Sequence, residues 1–304
     1  MKNIYIGYAK LVLVILIWGG NYHVAKYLVD GSDPFTVSFL RWFIASLILF
    51  TIYWRKHGIA GFKKPALDWK ILFLLSLFGV SIYNLLFFSA EVFLPASMVA
   101  ILYAFTPCIT VMLGAIFLKQ RVNFYAWCGI IVAMFGAVAV INLSSPTCGK
   151  VFCIGLFSNV SFGQILAILA SLSMAIFTIL NKKACQLQLD SLTITTFSSL
   201  FGAIILFVTV LFFGDLASVA HYSLMFWIAM SYVSIFATVI SYRWYCDAIR
   251  EIGMGKTSVF QNGVPLATVI LGIVFLGQTI SMGIIMSGCA IIFGVLITNK
   301  SLNS

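Results

Sequence analysis

Ten apolar runs, each close to the length that crosses a bilayer, follow one another along this chain of 304 residues. They occupy 8–29, 34–54, 70–93, 95–118, 122–142, 162–181, 192–213, 222–246, 255–276 and 280–298. About 20 apolar residues in helical form span the hydrocarbon core, and within lipid only helices and closed barrels satisfy their own backbone polar groups. Runs of this length read as helices, so the expected fold class is an all-α polytopic membrane protein with ten transmembrane helices. Loops are short except 55–69 and 143–161, which leaves no room for a soluble catalytic module. The first run follows Lys2 and Lys10 as in a signal peptide. It continues through Trp18 to Val29 with no small-x-small cleavage site after it, and so reads as a retained helix.

The chain also repeats itself. Pro107 through Gln120 and Pro265 through Gln278 share eight of fourteen residues without a gap at an offset of 158. At the same offset Ala90 meets Ala248, Phe135 meets Phe293 and Gly136 meets Gly294. Five helices per half is an odd number, so the halves are expected to insert in opposite orientations. That inverted repeat is a pattern of secondary transporters, whose substrates bind near the midplane where the repeats meet. The expected organisation is a first five-helix repeat over 1–142, an external linker over 143–161 and a second five-helix repeat over 162–304.

A net charge of +10 raises the question of nucleic acid, and the distribution answers it. With the N-terminus in the cytoplasm, 14 of the 18 Lys and Arg fall on the cytoplasmic side, among them Arg55, Lys56, Lys63, Lys64, Arg121 and Lys183. This is the positive-inside rule. No nucleic-acid partner is expected, both termini are placed in the cytoplasm, and the 143–161 loop lies outside. Cys148, Cys153 and the sequon at Asn159 share that loop, where an oxidising compartment would allow a disulfide. The compact chain suits a bacterial inner membrane, with the bilayer and a small-molecule substrate as partners; a monomer suffices.

Several motifs resemble the drug/metabolite transporter superfamily in its ten-helix EamA branch. They are Trp18-Gly19-Gly20-Asn21, Pro34 through Arg41 with Ala45, Pro107, and the tails Gln120…Gly129…Gly136 and Gln278…Gly288…Gly294. The resemblance covers the whole chain and implies metabolite export or exchange by alternating access. There are departures: the family usually carries Glu where this chain has Gln120 and Gln278, and no counterpart of Trp18-Gly19 opens the second half. Small multidrug pumps of the superfamily use a membrane-embedded Glu on the first helix, which this chain lacks.

Ionisable side chains inside spans are costly and mark candidate sites. Arg41 is the sharpest: either its donor fork anchors an anionic group, or it forms a buried ion pair with Glu91. His23 is a candidate proton carrier or a hydrogen-bonded packer, and Lys26 is expected to snorkel outward. Trp18, Tyr83, Tyr103, Tyr242 and Tyr245 are candidate walls of a substrate pocket, with Asn21, Asn84, Gln261 and Asn262 as hydrogen-bonding groups; interhelical glue is the competing role. Pro107 and Pro265 are candidate hinges. Arg243 and Asp247 read as an i,i+4 pair, and the glycine tails as close helix contacts. No Walker-type loop, metal-spaced Cys/His cluster or hydrolytic set is present in the sequence, so no cofactor, ATP drive or enzymatic role is expected. The deep Arg41 favours amino acids or other anionic or zwitterionic solutes; proton-coupled efflux of lipophilic cations is the alternative, and a membrane-embedded enzyme or a channel is more remote.

Overall fold

The computed structural model describes residues 2–58, 68–117, 123–143, 160–187, 189–245 and 263–302. Regular structure among them is helical throughout. Helix α1 runs Lys2–Asp30, and α2 runs Pro34–His57. Asp33 caps α2 by accepting from the Thr36 amide at 2.7 Å, and Pro34 sits where no amide is needed. The helix closes at Gly58, whose φ of 53° suits a residue without a Cβ. Helix α3 is α-helical over Trp69–Ser76, a π-helix over Leu77–Ile82, and α-helical again over Tyr83–Phe93. Helix α4 is broken into Ala96–Tyr103 and Thr106–Phe117. Then come α5 (Phe124–Leu143), α6 (Phe162–Gln186) and α7 (Ser191–Phe213). Helix α8 starts over Leu224–Ser231, passes through a π-helix at Tyr232–Ile240 and ends at Tyr245. Helices α9 (Gly263–Leu276) and α10 (Met282–Leu302) follow.

Seven of these, α1–α4 and α6–α8, are long and apolar enough to cross a membrane; α5, α9 and α10 carry shorter apolar stretches. Part of their packing is reciprocal. Helix α1 packs on α8 and α9, α6 packs on α3 and α4, α2 packs on α7, and α5 packs on α10. Exchanging the first five helices with the last five leaves these pairs unchanged, whereas α1–α3, α1–α4 and α2–α3 have no comparable counterpart among the described residues. The two π-helices obey the same exchange, since Leu77–Ile82 moved by 158 residues falls on 235–240, inside Tyr232–Ile240.

Lipid offers no hydrophobic drive for helices to associate, so close backbone approach matters. Between α5 and α10, a Cβ on Gly129 would lie 2.5 Å from the Gly294 carbonyl oxygen, and one on Gly294 would lie 2.5 Å from that of Gly129. A Cβ on Gly136 would lie 2.8 Å from both the Ser287 carbonyl oxygen and Ile291. Gly288 departs from the expected tail contact. It faces Ile101 of α4, where an added methyl would make an ordinary contact at 3.6 Å. Aromatic pairs seam α2 to α7, with Phe39 and Phe207 centroids 5.4 Å apart.

Helix α4 breaks at Ala104 and Phe105, just before Pro107, the second residue of its Thr106–Phe117 segment. Pro265 lies in α9, whose described part begins at Gly263. The Tyr103 carbonyl that Pro107 cannot bond accepts from the Thr106 hydroxyl at 2.6 Å. Gln120, Cys148, Cys153, Asn159, Asp247, Gln261 and Asn262 lie outside the described residues.

Candidate functional site

On α1, residues four apart share a face, which aligns Trp18, Tyr22 and Lys26 along one stripe. The Trp18 indole N–H donates to the Ala237 carbonyl in the π-helix of α8 at 2.9 Å. Its ring meets Tyr242 edge-on at 5.7 Å and Tyr245 at 5.4 Å. One turn further out, Tyr22 packs edge-on against Phe87 of α3 at 5.3 Å. Tyr83 stacks on the same Phe87 at 5.8 Å and faces Tyr103 of α4 at 5.8 Å.

Arg41 enters this aromatic cluster from α2 and is 5% exposed. Its Nε donates to Thr238 Oγ1 at 3.1 Å. The Thr238 hydroxyl in turn donates to the Val233 carbonyl at 2.8 Å, five residues back, a bond the wider π turn permits. The guanidinium carbon lies 5.7 Å from the Phe88 ring and 5.9 Å from that of Trp42, and it is within electrostatic reach of Tyr22, Tyr83 and Tyr242. Among the described residues no carboxylate pairs with Arg41, and Nε makes its one hydrogen bond. The expected pairing with Glu91 does not form. Glu91 lies one turn beyond Phe88, the ring the guanidinium faces, and neither carboxyl oxygen of Glu91 has a hydrogen-bond partner.

The structure therefore brings together Trp18, Arg41, Tyr83, Tyr103, Tyr242 and Tyr245 from five helices, α1, α2, α3, α4 and α8. Among the described residues, helices α6 and α9 pack behind: Phe177 of α6 lies against Gly79, and α9 holds His23. His23 Nε2 bonds the Thr268 carbonyl at 2.8 Å, while its Nδ1 is buried without a partner. Asn84 is fully buried; its Nδ2 donates one hydrogen bond to the Val80 carbonyl in the preceding π-helix at 2.7 Å, and its side-chain oxygen has no partner. Asn21 likewise buries an unpartnered side-chain oxygen. Lys26 does reach outward, pairing with Asp30 at 2.9 Å and donating to the Glu91 carbonyl at 2.7 Å.

The EamA-like transporter family matches residues 5–142 and again 161–300. The chain belongs to the EamA-like transporter family. It is 27% identical to the uncharacterized transporter YyaM of Bacillus subtilis, over 97% of this chain and 94% of that one. A probable terminal-alkyne amino-acid exporter of Streptantibioticus cattleyicolor is 30% identical over 43% of each chain. One solved crystal structure superposes on all of this chain and 99% of its own with a TM-score of 0.65 at 16% identity, which shows a shared fold.

Three residues of this EamA-like site escaped the sequence reading: Tyr22, Thr238 and Phe88. The spacing of Tyr22 from Trp18 was the signal for the first. Thr238 gave none, because its place beside Arg41 depends on the π-helix of α8. The cluster is also one-sided. At the 158-residue offset Arg41 corresponds to Ser199, whose hydroxyl bonds the Thr196 carbonyl, so the site's arginine comes from one half alone.

Proposed function

We propose that this chain is a secondary transporter of small anionic or zwitterionic metabolites, amino acids foremost, working by alternating access between two inverted five-helix halves. The observation that carries the reading is the buried Arg41 with no carboxylate on it among the described residues. An uncompensated buried charge costs several kcal/mol, and a substrate carboxylate or phosphate would compensate it through the unused arms of the planar fork. Trp18, Tyr83, Tyr103 and Tyr242 would wall the substrate. The reciprocal helix pairs, the twin π-helices and the double family match support the repeat. Positive-inside bias supports cytoplasmic termini in an inner membrane, and the similar amino-acid exporter supports the substrate class.

The competing substrate class is lipophilic cations, for which the buried carboxyl of Glu91 would supply a counter-charge. A thermal-shift screen of detergent-purified protein against amino acids, nucleotides, organic anions and lipophilic cations separates the two. A ligand at one hundred times its Kd stabilises the native state by about 2.7 kcal/mol. Stabilisation by an anionic or zwitterionic solute, absent in Arg41→Ala, is expected. Stabilisation by lipophilic cations alone, or undiminished binding by Arg41→Ala, sinks the proposal.

A further inference from the structure

We propose that Glu91 is the proton-coupling site of this transporter, and that Lys26 exchanges between Asp30 and Glu91 as the proton leaves and returns. The inference rests on the transport reading and names its coupling ion. Glu91 is fully buried two residues from the end of α3, and both of its carboxyl oxygens lack a hydrogen-bond donor. A carboxylate in that setting has neither water nor a donor to replace it, a cost proteins avoid by keeping the group as the neutral acid. In the proposed cycle this arrangement holds the proton on Glu91.

The groups around it define how the proton is released. From α1, Lys26 and Asp30 act on Glu91, and Tyr22 lies within its electrostatic reach. On its own helix there is Tyr83, and α4 brings Tyr103 to Tyr83. From α2, Arg41 stops at Phe88, and among the described residues α6 brings no charged group to this end. Lys26 is the cation within reach. Its ammonium is already held at the backbone carbonyl of Glu91, 2.7 Å away, while it pairs with Asp30 at 2.9 Å. Separation of α1 from α3 at this end would admit water. The proton passes from the Glu91 carboxyl to that water, the ammonium turns from Asp30 to the new carboxylate, and Asp30, with a side chain 58% exposed, is left to solvent. Reprotonation reverses the exchange.

Infrared titration of the full chain in phosphatidylethanolamine–phosphatidylglycerol vesicles tests this without any substrate. A neutral buried carboxyl has a C=O stretch distinct from that of ionised carboxylates. The expected result is a band present at neutral pH in the native protein and absent from Glu91→Gln. Asp30→Asn releases Lys26 to Glu91, so its band is lost at lower pH than in the native protein; Lys26→Ala removes the replacement cation, so its band persists to higher pH. Identical spectra for the native protein and Glu91→Gln, or titrations unmoved by both α1 variants, overturn the proposal. Should Glu91→Gln fail to fold, the exposed Asp30→Asn carries the test. Failure here leaves the anion-anchor reading standing, because that reading is decided by the ligand screen.

Discussion

The α5–α10 contact makes a sharp prediction because two glycines of the paired Gly-marked tails differ in space. At Gly129 an added methyl would sit 2.5 Å from the Gly294 carbonyl oxygen, whereas carbon and oxygen normally approach to about 3.3 Å. Gly129→Ala must therefore part the helices by roughly 0.8 Å. At Gly288 the nearest atom would be 3.6 Å away, an ordinary contact with Ile101. Both substitutions gain the same helix propensity, about 1 kcal/mol, so it cancels in the comparison. Overpacking costs about 1–3 kcal/mol, and Gly129→Ala should be the less stable variant by about 2 kcal/mol. Reversible unfolding in mixed detergent micelles measures the difference. Two variants within about 0.5 kcal/mol of each other, the range of inert substitutions, would refute the reasoning.

Thr238→Val removes the acceptor of the Arg41 Nε bond and should weaken anionic-ligand affinity about tenfold, the size of one lost charged hydrogen bond; calorimetry with the ligand from the screen checks it. Trp18→Phe keeps a ring against Tyr242 but leaves the Ala237 carbonyl without its donor, and should lower unfolding stability by about 1 kcal/mol. Asp33→Ala loses the Thr36 cap and a 3.2 Å bond from the Asp215 amide that ties the α2 start to the α7–α8 loop; thermal melting should show a loss of about 1 kcal/mol or more. Tyr22→Ala empties a buried aromatic position and should cost about 3–5 kcal/mol, with Tyr22→Phe close to native in the same melt.

The spans were legible because apolar length is a one-dimensional property: residues 34–54 and 192–213 gave α2 and α7 almost whole. Contacts that depend on helix rotation were not. Arg41 and Glu91 looked like partners by depth alone, yet the rotation of α3 puts Phe88 beside the guanidinium and leaves Glu91 facing α1. Nothing in the apolar stretches around Leu77 or Tyr232 distinguishes a π-helix from an α-helix, so the neighbours those turns create, Thr238 beside Arg41 and Asn84 on Val80, had no local signal. Pro107 was legible as an interruption because a proline cannot bond the carbonyl four residues back, and α4 breaks at Ala104 and Phe105 just before it. For the glycines, spacing identified the close α5–α10 approach but could not show that Gly288 faces α4.

Counterflow in proteoliposomes tests the central claim most directly. Vesicles preloaded with the anionic or zwitterionic solute that stabilises the protein are diluted into labelled solute, and uptake is followed against external concentration. The account predicts saturable, transient accumulation by the native chain and its loss in Arg41→Ala. Flux that rises linearly without counterflow, or counterflow undiminished in Arg41→Ala, would contradict a carrier built around Arg41.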